Sequence, residues 1–166
     1  MSGVLVLILG WLHVFFAACW IGGAVLGVFV IEPASRRLSA QSSAEFAKRY
    51  IPLLSRFMGI ITTLTILFGV LFYYSITGGR ILVDPVGQWN LIMYAGASLG
   101  FITYVFGVIV MLPLGKKIQT VLKDMESNPS AAERIEGLMK SVRRISTVDL
   151  ILLVIVYTLM AIAAYY

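Results

Sequence analysis

WLHVFFAACWIGGAVLGVFVIEP, residues Trp11 to Pro33, lies inside an apolar run that begins at Val4 and meets no charge until Glu32. A run of that length can span a bilayer, whose hydrocarbon core takes roughly 20 apolar residues of helix. It holds the only histidine of the chain, His13. At ~1.5 Å rise per residue from Val4, the imidazole is expected ~13 Å below one membrane surface. His13, Trp20 and Gly27 recur at intervals of seven residues and so share one helix face. Gly23 stands beside that stripe and forms a small-xxx-small pair with Gly27, which lets another backbone approach closely. An ionisable residue at such depth reads as a functional site. The competing reading is a packed histidine satisfied by a neighbouring hydroxyl or carbonyl.

Outward from this stretch, the composition points the same way. Hydrophobic residues make up 60% of the chain and charged ones 13%, with a mean hydropathy of +0.94. Soluble domains carry about twice that share of charge. Four spans emerge, about 4–31, 51–75, 89–114 and 145–165, which predicts an all-α, up-down four-helix membrane bundle over 1–166 as a single domain. The first span lacks a basic start and is too long in its apolar core for a cleavable signal peptide. A lone cysteine, Cys19, excludes an intramolecular disulfide and any Cys-x-x-Cys site.

The net charge of +5 is unevenly placed: of 13 lysines and arginines, 12 fall within 32–56 and 115–144, leaving Arg80 alone in the connection between spans two and three. By the positive-inside rule both basic segments are cytoplasmic. The expected protein is therefore a multi-pass protein of the cell membrane with both termini outside. Its basic balance serves topology and attraction to anionic lipid rather than nucleic acid.

Along the chain, Glu32-Pro33 is expected to end the first helix, since the residue before proline is pushed out of the helical region. Ser42-x-x-Glu45 reads as a capping box opening a short helix into the second span. Tyr73 and Tyr74 mark an interface, and Gly78, Gly79 and Asp84-Pro85 mark a turn-rich connection. Gly96-x-x-x-Gly100 gives span three its own small-residue face, expected against Gly23 and Gly27. Ile118, Val121, Leu122 and Met125 fall at helical spacing, as do Ile135, Leu138, Met139 and Val142. With a turn at Asn128-Pro129 and a cap at Ser130-x-x-Glu133, they predict a helical hairpin extending spans three and four into the cytoplasm. Asp149, one turn inside span four, is expected to pair with Arg56, Arg143 or Arg144. No internal repeat stands out.

At the level of His13 the other spans offer Ser98, Tyr157 and Thr158, with Met93 and Met160 about a turn nearer the outside. Imidazole is the commonest metal ligand, and thioether sulfur suits cuprous copper or haem iron. His13, Met93 and Met160 are thus candidate metal ligands, and His13, Trp20, Gly23, Gly27 and Tyr157 candidate cofactor-binding residues. Two copies, each giving one His13 to a shared haem, would build the site equally well. No carboxylate at that depth can orient the imidazole, so a hydrolytic triad is excluded.

His13-x6-Trp20-x-Gly22-Gly23, followed by Pro33, resembles the first helix of the copper-resistance protein D-type membrane family, which commonly reads W-L-H-x6-W-x-G-G. The fourth span, RRISTVDLILLVIVYTLMAIAAYY, is similar to the last helix of that group. FMGIITTLTILFGVLFYY looks like the corresponding helix of HemJ-type protoporphyrinogen oxidases. The resemblance implies a haem- or metal-associated bundle working through His13. HemJ-type proteins carry a further histidine and a lysine where this chain has Trp89-Asn90-Leu91-Ile92-Met93, so the oxidase activity is not implied. The resulting expectation is an oligomeric membrane protein binding haem b, or alternatively copper, through His13 for electron transfer or redox sensing. Copper transport and a cofactor-free subunit of a larger membrane complex are the alternatives.

Overall fold

In the computed structural model, which describes residues 3–80, 88–124 and 131–165, every regular element is a helix. α1 (Gly3–Leu26) passes through a π turn (Gly27–Ile31) into α2 (Glu32–Ser35). α3 runs from Ala40 to Ile76, and α4 (Gln88–Phe106) passes through a second π turn (Gly107–Met111) into α5 (Leu112–Asp124). α6 (Ala131–Ala163) closes the bundle. Four of these continuous helices are long and apolar enough to cross a membrane. The bundle turns apolar side chains outward, with Leu7 73% and Leu53 70% exposed. Water would not tolerate that arrangement, but lipid tails would.

Pro33 does not end the first helix. A proline ring within an α-helix collides with the carbonyl four residues back and brings no N–H of its own. The π turn widens the backbone just before it, and the Glu32 N–H reaches the Gly27 carbonyl instead of one residue nearer. Pro33 then occupies the first turn of α2, where a missing N–H costs nothing. The third helix does the same. The Leu112 N–H reaches the Gly107 carbonyl, and Pro113 follows. The two devices share the pattern Gly-Val-x-Val-x-x-Pro, as Gly-Val-Phe-Val-Ile-Glu-Pro at 27–33 and Gly-Val-Ile-Val-Met-Leu-Pro at 107–113. The chain does contain an internal repeat, then, and it is short and sits at the helix bends.

α3 begins three residues before the expected capping box. Ser39 is its N-cap, the Ser39 hydroxyl accepting from the Ser42 N–H at 3.2 Å, so Ser42 and Glu45 lie inside the helix. Its far end is closed by Gly78, whose φ of +64° suits a residue without a Cβ. The Gly79 N–H returns to the Tyr74 carbonyl there at 2.9 Å.

Helix pairing follows chain order. α1 packs antiparallel on α3, with Gly10 facing Phe72 and Gly23 facing Met58. α4 packs antiparallel on α6, with Gly96 facing Met160 and Gly100 facing Val156. The small-residue face of α4 therefore serves α6, not Gly23 and Gly27 of α1. Hydroxyl pairs tie α3 to α4: Thr63 to Tyr104 at 3.3 Å and Tyr73 to Tyr94 at 3.0 Å. α1 and α4 stand diagonally opposite.

The helical hairpin is present, and it has a third member. Ile118 and Leu122 of α5 are buried among Ile135, Leu138 and Met139 of α6, together with Ala47 from the start of α3. Met125, the turn at Asn128-Pro129 and the cap at Ser130 lie outside the described residues. This end carries the basic segments and is called the basic end below.

Candidate functional site

His13 lies on α1 against α3, at a point where α3 has no side chain. A Cβ on Gly69 would stand 2.8 Å from the imidazole ring, closer than packing allows. The ring uses that room to bring Nδ1 within 3.0 Å of the Thr65 carbonyl. A carbonyl only accepts, so Nδ1 carries the proton, and the lone pair of the neutral ring sits on Nε2. The Thr65 side chain is buried and turned back onto the Ile61 carbonyl at 2.8 Å. The hydroxyls expected to satisfy His13 do not. Ser98, Tyr157 and Thr158 are exposed, and Thr158 bonds its own helix at the Val154 carbonyl.

The remaining candidates are spread along the bundle. Trp20 is 5% exposed in a core with Ile61 and Leu153. Gly23 makes room for the Met58 sulfur, and Gly27 faces open space. Tyr157 is 46% exposed on the outer face of α6. Met160 packs over Gly96 on the α4–α6 side, and Met93 is on α4, diagonal to α1. His13 and the two methionines are thus not gathered into one site within a single copy. Among the described residues no three His, Cys, Asp or Glu side chains converge on a metal position.

A separate concave feature lies at the opposite half, towards the basic end. A cavity of about 220 Å³ opens between the two π turns, reaching from Trp20 to Ser35 and Ser43. Gly27, Gly59 and Gly107 line it, and a Cβ on any of them would meet nothing within 4 Å. Its charged groups are Glu32, Arg143 and Asp149. Glu32 takes Arg143 across the bundle and Arg36 along its own helix at 2.6 Å. Of the three expected partners of Asp149, Arg143 is thus engaged elsewhere, and Arg144 is exposed and off the cavity wall. Among the described residues Asp149 forms no ion pair, and Arg56 is exposed and not on the cavity wall. Tyr50 also lines the cavity, stacked on Phe46 with ring centroids 5.2 Å apart, and its hydroxyl is buried without a hydrogen-bond partner.

The sequence places Gly69 at the depth of His13 but points neither to Thr65 nor to the cavity. Thr65 acts through its backbone, which carries no sequence signal. The repeated Gly-Val-x-Val-x-x-Pro was the visible mark of the cavity. No family model matches this chain, and no curated protein or solved structure does either.

Proposed function

We propose that this chain is a membrane protein that binds b-type haem through Nε2 of His13 and carries electrons or senses redox state. One contact supports the reading: Nδ1 of His13 on the Thr65 carbonyl, over Gly69. A ligating histidine almost always gives its second ring nitrogen to a carbonyl or carboxylate, which fixes the tautomer and aims the free lone pair. The likeness of the His13–Gly23 stretch to copper-resistance protein D-type proteins supports it too. The basic segments, with 12 of the 13 cations, argue that the basic end is cytoplasmic. His13 and both termini then belong to the outer half.

As a donor, His13 fits an axial ligand. A macrocycle within one copy does not fit, because the bundle's cavity lies in the other half and His13 is not on its wall. The haem would instead be shared with a second copy, each copy giving one His13. Bound there it would supply a one-electron couple, and this chain's part is to hold and orient His13. Neither methionine stands beside His13, which favours haem over a His/Met copper site.

The test is an optical spectrum of protein purified after haem-replete expression. We expect a Soret band at one haem per two chains, lost or converted to high spin in His13→Ala and at most shifted in Met93→Leu and Met160→Leu. A colourless wild type, or an unchanged Soret band in His13→Ala, rules the reading out. A second reading, a cofactor-free subunit of a larger complex, is favoured by the close packing of His13 on Gly69, which a purely structural histidine would share.

A further inference from the structure

The cavity between the π turns is separate from His13 and has a chemistry of its own. Most of its wall is apolar or aromatic, with Trp20, Phe46, Tyr50 and Tyr104 as the large rings. Its ionic groups do not balance. Arg143 is taken by Glu32, which Arg36 also engages, so Asp149 remains without a cation. Asp149 is half-buried on an apolar cavity wall, where a lone carboxylate is costly and a group bringing a positive charge lowers that cost.

Water alone suits this space poorly. At ~30 Å³ each, a volume of about 220 Å³ holds about seven waters, and every one needs two to four polar partners. Most of the wall is apolar and offers water no partner. An apolar molecule with a single cationic head meets the lining better: rings and aliphatic groups for its body, Asp149 for its charge. Aromatic faces add attraction for a cation. The volume is below the ~300–1,000 Å³ of sites that take drug-sized molecules, so the ligand is small.

The emptiness is built into the backbone. Carrying the α4–α6 register on from Gly96–Met160 and Gly100–Val156 brings Asp149 level with Gly107, the first residue of its π turn. Gly27 opens the other π turn. Both glycines face unfilled space. Any other residue at either position would put a side chain where the ligand's body belongs.

We propose that the cavity between the two π turns binds a small apolar amine in its protonated form, with Asp149 as counter-ion. The site is independent of haem at His13.

Titration calorimetry on the full-length protein in detergent at neutral pH, with 2-phenylethylamine and its uncharged analogue 2-phenylethanol as probes, tests it. We expect saturable binding of one amine per chain, about tenfold or more tighter than the alcohol, as a charge-assisted contact requires. Asp149→Asn should erase the preference for the amine. Gly107→Leu, which fills the open space, should remove binding of both probes. His13→Ala should change neither. Equal binding of the two probes, a preference that survives in Asp149→Asn, or no saturable binding of the amine overturns the proposal. If Asp149→Asn does not fold, Gly107→Leu decides alone, and amine binding that persists in it is the overturning result.

Discussion

Gly69 and His13 fit together as socket and ring: the imidazole occupies the place where a Cβ on residue 69 would be, 2.8 Å from two of its atoms. Two antiparallel helices are locked there by shape as well as by the hydrogen bond to Thr65. Gly69→Ala should push the ring out and break that bond. Overpacking of this kind costs about 1–3 kcal/mol. Thermal unfolding in detergent should show a lowered midpoint, with no comparable fall for Gly59→Ala, whose Cβ meets nothing within 4 Å. Equal midpoints for the two variants would mean that His13 does not use Gly69 as its seat.

Glu32 holds two arginines of unequal value. Arg36 is one turn away on the same helix, half exposed, and such pairs are worth ~0.3–0.5 kcal/mol. Arg143 comes from α6, so its loss unties two helices and leaves Glu32, 19% exposed, with a single partner. Arg143→Ala should therefore destabilise the protein clearly more than Arg36→Ala. In a double-mutant cycle with Glu32→Gln, the coupling should be clearly larger for Arg143 than the ~0.3–0.5 kcal/mol expected for Arg36. The reverse order would contradict the cross-bundle pair.

Arg56 and Asp149 point to different surroundings, one exposed and the other on the cavity wall. Their single substitutions to alanine should add to within ~0.3–0.5 kcal/mol, as independent sites do. A coupling energy well beyond that range would show the ion pair that the sequence suggested.

Glycine inside a helix costs ~0.5–1 kcal/mol relative to alanine unless its bareness is used. Gly10 uses it, since a Cβ there would stand 2.9 Å from the Phe72 ring, whereas the Gly27 position is open. Gly27→Ala should raise the unfolding midpoint and Gly10→Ala should lower it. Shifts of the same sign would refute the distinction.

The helix number and the α5–α6 hairpin were legible because they rest on long apolar periodicity. Ile118 and Leu122 sit buried against Ile135, Leu138 and Met139 as their spacing requires. Pairing was not legible from small residues alone, because Gly96 and Gly100 suit any neighbour and connection to α6 decides the outcome. Pro33 misled for a different reason. Proline disfavours a helix of regular pitch, and nothing at Pro33 by itself announces that the preceding turn has been widened. The functional candidates divide likewise. His13 and Trp20 were singled out by type and spacing, but the partner of His13 is a backbone carbonyl and the partner of Glu32 lies 111 residues away.

Each π turn also acts as a phase shifter. One surplus residue per bend rotates everything beyond it by about the ~100° that a residue occupies around an α-helix. In the first helix that twist carries Glu32 round to Arg143 of α6, and in the third it turns Leu114 and Ile118 onto the α3–α6 cluster. A single-residue deletion within 27–31 or 107–111 would restore even pitch and swing those side chains off their partners. The two spare residues thus serve as angular spacers, setting how the apolar half of the bundle is keyed to its basic end.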